Sequence, residues 1–254
     1  MTPKLTSDWS DAALRAYAEG CRSLRTDPRY MLPVHIFESG MRASAENASS
    51  HASGICQTMP LNLPAVGWGK VPSELASDFA KAKTTGKWSP EITTWLVNNA
   101  ASYRKLSNAA QLPYVFNFYR PYAGKMTSPT ACYLATFAPA YIGHANDPFF
   151  VIYPAGSNAA ALNKALDHGS KGYIEVQDLS LTISNVPNGP NGARYREFME
   201  RLEEVDPGPD PATRSNQRAF ATLAVLAFIV GTGLAVHAAY SYAAEHGKLP
   251  AFAR

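Results

Sequence analysis

The residues best suited to chemistry lie between positions 33 and 64. Glu38 closes an apolar run, Val34-His35-Ile36-Phe37, and is followed by Ser39-Gly40-Met41. Further on comes Ser53-Gly54-Ile55-Cys56-Gln57-Thr58-Met59-Pro60, which places Gln57 19 residues after Glu38. A carboxylic acid delivers a proton near neutral pH only when its pKa is raised. Val34, Ile36, Phe37 and Met41 supply apolar neighbours that disfavour the charged form. A proton so held suits general acid catalysis, in which a leaving oxygen is protonated as its bond breaks. Where such chemistry needs a second carboxylate, Glu46, Glu74 and Asp78 are the nearest candidates. His35 and His51 flank the run and are expected to be structural. Cys21, Cys56 and Cys132 are odd in number and lack metal-ligand spacing, so buried free thiols are expected, with no metal and no cofactor.

Taken together, Phe37-Glu38-Ser39-Gly40 and Gly54-Ile55-Cys56-Gln57-Thr58-Met59-Pro60 resemble the core motif of lytic transglycosylases of the lysozyme superfamily. That family carries a Glu-Ser pair at a helix end and a Gly-x-x-Gln-x-Met-Pro segment about twenty residues later. The resemblance implies that Glu38 acts first as acid and then as base on peptidoglycan, giving a 1,6-anhydro sugar. It also implies that Ser39 and Gln57 shape the sugar cleft and position Glu38. Met59 is placed on the substrate side by the motif, although a thioether there suits the core beneath a cleft. A second stretch, from Tyr114 through Tyr119-Arg120-Pro121-Tyr122 to Cys132-Tyr133-Leu134-Ala135-Thr136-Phe137-Ala138-Pro139-Ala140, resembles the later half of phage-encoded transglycosylase domains. Tyr133 and Phe137 are thereby expected to line the sugar cleft. Many cellular relatives have Ala-Tyr-Asn-Ala-Gly where this chain has Thr136-Phe137-Ala138-Pro139-Ala140, so a tyrosine hydroxyl is lost at Phe137. Residues 167–178 resemble an EF-hand loop with Asp167 and Asp178 at its ends, but Lys171 stands where a ligand oxygen belongs, so the loop is expected to keep its shape without calcium.

The elements that must position these residues read as helices. Helical spacing or capping marks residues 8–22, 31–41, 88–106, 129–139, 158–166 and 193–204. Ser89 suits an N-cap, Pro90 a first turn and Glu91 the positive end of the helix dipole. Residues 43–60 are small and polar, a loop composition. A short hairpin is expected over residues 60–68, and no run of alternating strands occurs. The fold class is mainly α: a helical extension (1–30), a lysozyme-like transglycosylase domain (31–202), a Pro-rich linker (203–217), a single C-terminal transmembrane helix (218–244) and a short tail (245–254).

The 254 residues are 46% hydrophobic and 17% charged, a globular composition. A net charge of +3 without a dense basic run argues against nucleic acid as a partner. Residues 219–244 hold no Asp, Glu, Lys or Arg; as a helix they extend about 39 Å, enough for a bilayer core of ~30 Å. Gly231 and Gly233 would allow close helix contact and self-association. The first sixteen residues hold Lys4, Asp8, Asp11 and Arg15 and show no secretory signal. A wall-cleaving domain without such a signal needs another route to its substrate, and carriage in a phage particle supplies one. The expectation is a virion-associated enzyme used in genome entry. It would sit in a virion or host membrane, act in the periplasm and have virion proteins as partners. The alternatives are a catalytically inactive ejection protein that binds the wall, and a hydrolytic lysozyme.

Overall fold

The computed structural model describes residues 5–207. The segment expected to span a membrane lies outside the described residues; within them, no helix is long and apolar enough to cross a bilayer. The protein is mainly helical. In chain order come α1 (Asp11–Ser23), α2 (Pro28–Ser39), α3 (Ala76–Thr85), α4 (Pro90–Tyr103), α5 (Asn108–Tyr119), α6 (Pro129–Phe137), β1 (Val151–Tyr153), α7 (Asn158–Leu162), β2 (Ile174–Glu175), α8 (Val176–Ser184) and α9 (Gly192–Val205). Strands β1 and β2 pair antiparallel, with Val151 opposite Glu175 and Tyr153 opposite Ile174.

Serine side chains start most of these helices. Ser10, Ser89, Ser107, Ser128 and Ser157 each accept a hydrogen bond from the backbone N–H three residues on, satisfying a donor that the helix cannot. Ser89 and Pro90 thus act as the sequence predicts. Three helices escape sequence reading for different reasons. Helix α3 buries only Ala82, so it has almost no apolar stripe. Helix α5 carries Pro113 inside it. Helix α8 opens within the acidic loop, through a capping box between Glu175 and Asp178.

Helix α2 is the centre of the fold. Met31, Leu32, Val34, His35 and Ile36 are all buried, on every side of the helix, as befits one enclosed by other helices. It packs against α1, α6, α8 and α9. The helix stops at Ser39 because Gly40 adopts a left-handed conformation (φ 63°) and its N–H caps back on Ile36. The predicted continuation to Met41 therefore fails by two residues.

Two expected boundaries are corrected. Residues 5–30 are no separate extension, because Trp9, Leu14, Tyr17 and Cys21 are buried in the same core as α2, α5 and α9. Arg194 and Arg201 of α9 reach across to this segment: Arg194 Nη2 pairs with Asp8 at 2.7 Å, and Arg201 Nη1 donates to the Thr6 carbonyl at 2.8 Å. At the other end, residues 203–206 belong to the domain. Helix α9 runs to Val205, and Asp206 is buried beside Arg22 and Arg29.

The predicted hairpin over residues 60–68 is also corrected. Pro60–Asn62 forms a 3-10 turn, and Leu63 and Val66 pack on Ala100 and Tyr103 of α4. Proline at 60 and 64 removes ladder donors there. Strand-like pairing occurs earlier, as bridges from Glu46 to Ser53 and from Ser53 to Thr58.

Candidate functional site

Glu38 sits in the last turn of α2, half-buried, and its carboxyl makes no hydrogen bond or ion pair among the described residues. Loss of water raises its pKa to about 7. The C-terminal end of a helix is its negative pole and pushes the same way. The carboxyl lies close enough to Cys56, Tyr119 and Tyr133 that its charge raises the pKa of each, though burial is the main cause in all three. The arrangement holds a protonated acid near neutral pH, able to give up its proton and regain it.

The surroundings of Glu38 are fixed from far along the chain. Ser39 is buried, and its hydroxyl bonds to the Ile55 carbonyl at 2.7 Å and lies 3.1 Å from that of His35. It therefore joins the two halves of the motif rather than facing a substrate. Gln111 on α5, fully buried, does the same from the other side. Its amide nitrogen donates to the carbonyls of Ala43 and Tyr103, both at 2.9 Å, and its oxygen accepts from the Ile55 N–H at 3.2 Å. A Cβ on Gly54 (φ 78°) would stand 2.4 Å from the Gln111 oxygen, so only glycine fits. Beyond the helix end, Arg194 Nε donates to Gly40 O at 2.6 Å and Trp9 Nε1 to Met41 O at 2.8 Å.

Backbone strain gathers here as well. Met41 (φ 60°), His51 (φ 56°) and Gln57 (φ 48°) are non-glycine residues in the left-handed region. Each such residue costs about 1 kcal/mol, and clusters of them accompany functional sites.

The other predicted residues are placed as follows. Gln57 is half-buried, and its amide nitrogen donates to the Gly54 carbonyl at 3.1 Å. Met59 is 38% exposed, which corrects its reading as a core filler and leaves it on the surface. Tyr133 is buried under Phe37, with ring centroids 5.5 Å apart, and stacks on the half-buried Phe137 at 5.7 Å. Phe37 itself is 42% exposed, an unusual position for a ring beside the core. A cavity of about 370 Å3 opens beside Phe37, with Leu166, His168, Val186 and Gly189 among its walls; Glu38 does not line it.

Both histidines have structural partners. His35 bridges the Tyr17 and Tyr119 hydroxyls, each at 3.1 Å, and the Tyr119 hydroxyl continues to Thr136 at 2.8 Å. Burial lowers the His35 pKa to about 3, so the ring is neutral. His51 pairs with Glu46 at 2.8 Å, and Arg104 holds the other Glu46 oxygen at 3.1 Å. All three cysteines are buried and free.

In the acidic loop an ammonium sits among the carboxylates. Lys171 Nζ lies 3.0 and 2.9 Å from the two Asp178 oxygens and 3.3 Å from Glu175 Oε2. The Asp167 carboxylate accepts from the backbone N–H groups of Lys171 and Gly172 at 2.9 and 2.7 Å. These residues do not fit calcium, because Lys171 already supplies the positive charge and is itself no ligand. Among the described residues no cluster of His, Cys, Asp or Glu is arranged to hold a metal.

Gln111 and Arg194 are the positioning residues that sequence reading missed. Their partners Ile55 and Gly40 are 56 and 154 residues away, and no local pattern reports them. Comparison with protein-family models finds none that matches the chain, and no curated protein or solved structure matches it either.

Proposed function

We propose that the protein is a peptidoglycan lytic transglycosylase with a lysozyme-like site and Glu38 as its single acid and base. One observation carries the reading: a carboxyl without a hydrogen-bond partner among the described residues, at the end of a buried helix, whose pKa desolvation raises to about 7. A catalytic acid works best with its pKa near the working pH. The resemblance of residues 37–60 to the transglycosylase motif supplies the reaction. Protonated Glu38 gives its proton to the oxygen between N-acetylmuramic acid and N-acetylglucosamine, and the bond from that oxygen to the muramic C1 breaks. The muramic 6-hydroxyl then closes on C1, and its proton passes to the Glu38 carboxylate. The products are a 1,6-anhydro end and a free hydroxyl, and Glu38 is again protonated.

A hydrolytic lysozyme would use a second carboxylate to activate water or capture the sugar. Glu46, a candidate for that task, has its oxygens engaged by Arg104 and His51. The wall-binding but inactive alternative rests on the Thr136-Phe137-Ala138 departure from cellular relatives. Carriage in a phage particle, with anchorage to a virion or host membrane through residues 218–244, remains part of the proposal.

The deciding experiment incubates the purified chain with isolated peptidoglycan and analyses the released fragments by mass. Anhydro ends are the expected outcome. Reducing ends would replace the transglycosylase by a lysozyme, and no release would leave a binder. Glu38→Gln should stop release while the fold survives; an active variant removes Glu38 from the mechanism.

A further inference from the structure

The cavity beside Phe37 has no part in the reaction just described, yet it adjoins the site. Ile36 and Phe37 form one wall, and Glu38 is the next residue of α2. At about 370 Å3 it lies within the size range of ligand pockets, roughly 300–1,000 Å3. Leu166 and Val186 give it apolar walls, and among the described residues no Asp, Glu, Lys or Arg lines it. Its rim carries polar atoms with capacity to spare. The Thr182 hydroxyl donates to the Asp178 carbonyl at 2.8 Å, so it must accept from His168 Nε2 at 2.9 Å. His168 Nδ1 has no hydrogen-bond partner among the described residues. The Asn185 side chain likewise makes no hydrogen bond there. The Lys171–Asp178 pair braces this wall, since Asp178 also accepts from the His168 N–H at 3.2 Å.

Apolar walls with a few hydrogen-bonding groups suit a ligand made of methyl groups and amides. We infer that this cavity binds the lactyl-alanyl start of the peptide branch of peptidoglycan while the sugar chain passes over Phe37 to Glu38. The inference rests on the glycan reading and narrows it: the enzyme prefers peptide-bearing strands to bare ones.

Gly189 offers a clean test. It lines the cavity at φ −83°, and an added Cβ would meet only the Val186 and Asn185 carbonyls, at 3.6 and 3.7 Å. A larger side chain there starts from a Cβ in ordinary contact, and leucine is chosen to occupy the cavity. The full-length Glu38→Gln chain, which cannot consume substrate, is titrated calorimetrically with two soluble tetrasaccharides. One keeps its alanine-headed peptides, and the other has been stripped of them by an amidase. The peptide-bearing fragment should bind roughly tenfold tighter, the worth of about two buried methyl groups. Adding Gly189→Leu, or separately Asn185→Leu, should remove that preference and leave the bare fragment's affinity unchanged. Equal binding of the two fragments to the parent chain overturns the inference, as does a preference that survives both substitutions. In either case binding of the bare glycan still upholds the glycan reading. Binding of neither fragment ends both readings together.

Discussion

The Ser39 hydroxyl and the Ile55 carbonyl lie 2.7 Å apart, so the residue after Glu38 is bonded directly to the turn that leads to Gln57. Together with Gln111, this bond sets how the end of α2 meets the 53–58 segment. Replacing Ser39 by alanine leaves the buried Ile55 carbonyl without that donor, at a cost of about 1–2 kcal/mol. The rate of fragment release should fall about tenfold through misplacement of Glu38. The pH at which activity falls should not move, because Ser39 does not touch the reacting atoms. Denaturant melts and release assays across pH check both; an unchanged rate would show that the bond has no bearing on the site.

The raised pKa of Glu38 sets a pH dependence for stability and for activity. A carboxyl with a folded pKa of about 7, against an ordinary 4.5, favours folding fully below pH 4.5. That contribution is lost as the pH rises through 7. Wild type should therefore lose about 2 kcal/mol relative to Glu38→Gln between pH 5 and pH 8. Activity should decline on the alkaline side with a midpoint near 7, where the acid is deprotonated. Parallel stability curves for the two proteins across that range would refute the desolvated site.

Gln111 answers for both halves of the motif at once. Gln111→Leu keeps the volume but strands the Ile55 N–H and two carbonyl acceptors, at about 2–4 kcal/mol. The remaining folded protein should be nearly inactive although residue 111 is fully buried. Circular dichroism melts together with release assays read this out.

His35 makes the core acid-sensitive. Its pKa is lowered to about 3 from 6.5, so its contribution is complete above pH 6.5 and is lost as the pH falls toward 3. Unfolding free energy should drop by roughly 3–5 kcal/mol over that interval. His35→Gln, less stable at pH 7, should show a flatter acid limb. NMR titration of the His35 ring would expose an error if it protonates above pH 5.

Lys171 pairs with both Glu175 and Asp178, so chelators should leave the melting temperature of the wild type unchanged. Lys171→Met keeps the length but removes the charge between Glu175 and Asp178, both buried. The loss should be about 2–4 kcal/mol, most of it the cost of a carboxylate left unpaired. A wild type that melts earlier in chelator would mean that the loop does hold a metal.

Much of the local structure was legible in the sequence, because the signals are local. Ser89 and Pro90 start α4 by capping chemistry that needs no neighbours. The apolar run around residues 31–36 announces a helix buried on all sides. Helix α3 was not legible, since residues facing water need follow no stripe, and α5 was obscured by Pro113, which breaks the usual expectation for a helix interior.

Residue type and spacing determined which carboxyl to inspect, Glu38, and which segment to pair with it, residues 54–60. Only the tertiary structure decided what that carboxyl experiences. Its pKa depends on how much water packing removes, and its position on bonds from Gln111, Arg194 and Trp9, which lie on elements distant in the chain. Desolvation and long-range hydrogen bonds are properties of the folded arrangement, so no stretch of sequence around Glu38 contains them.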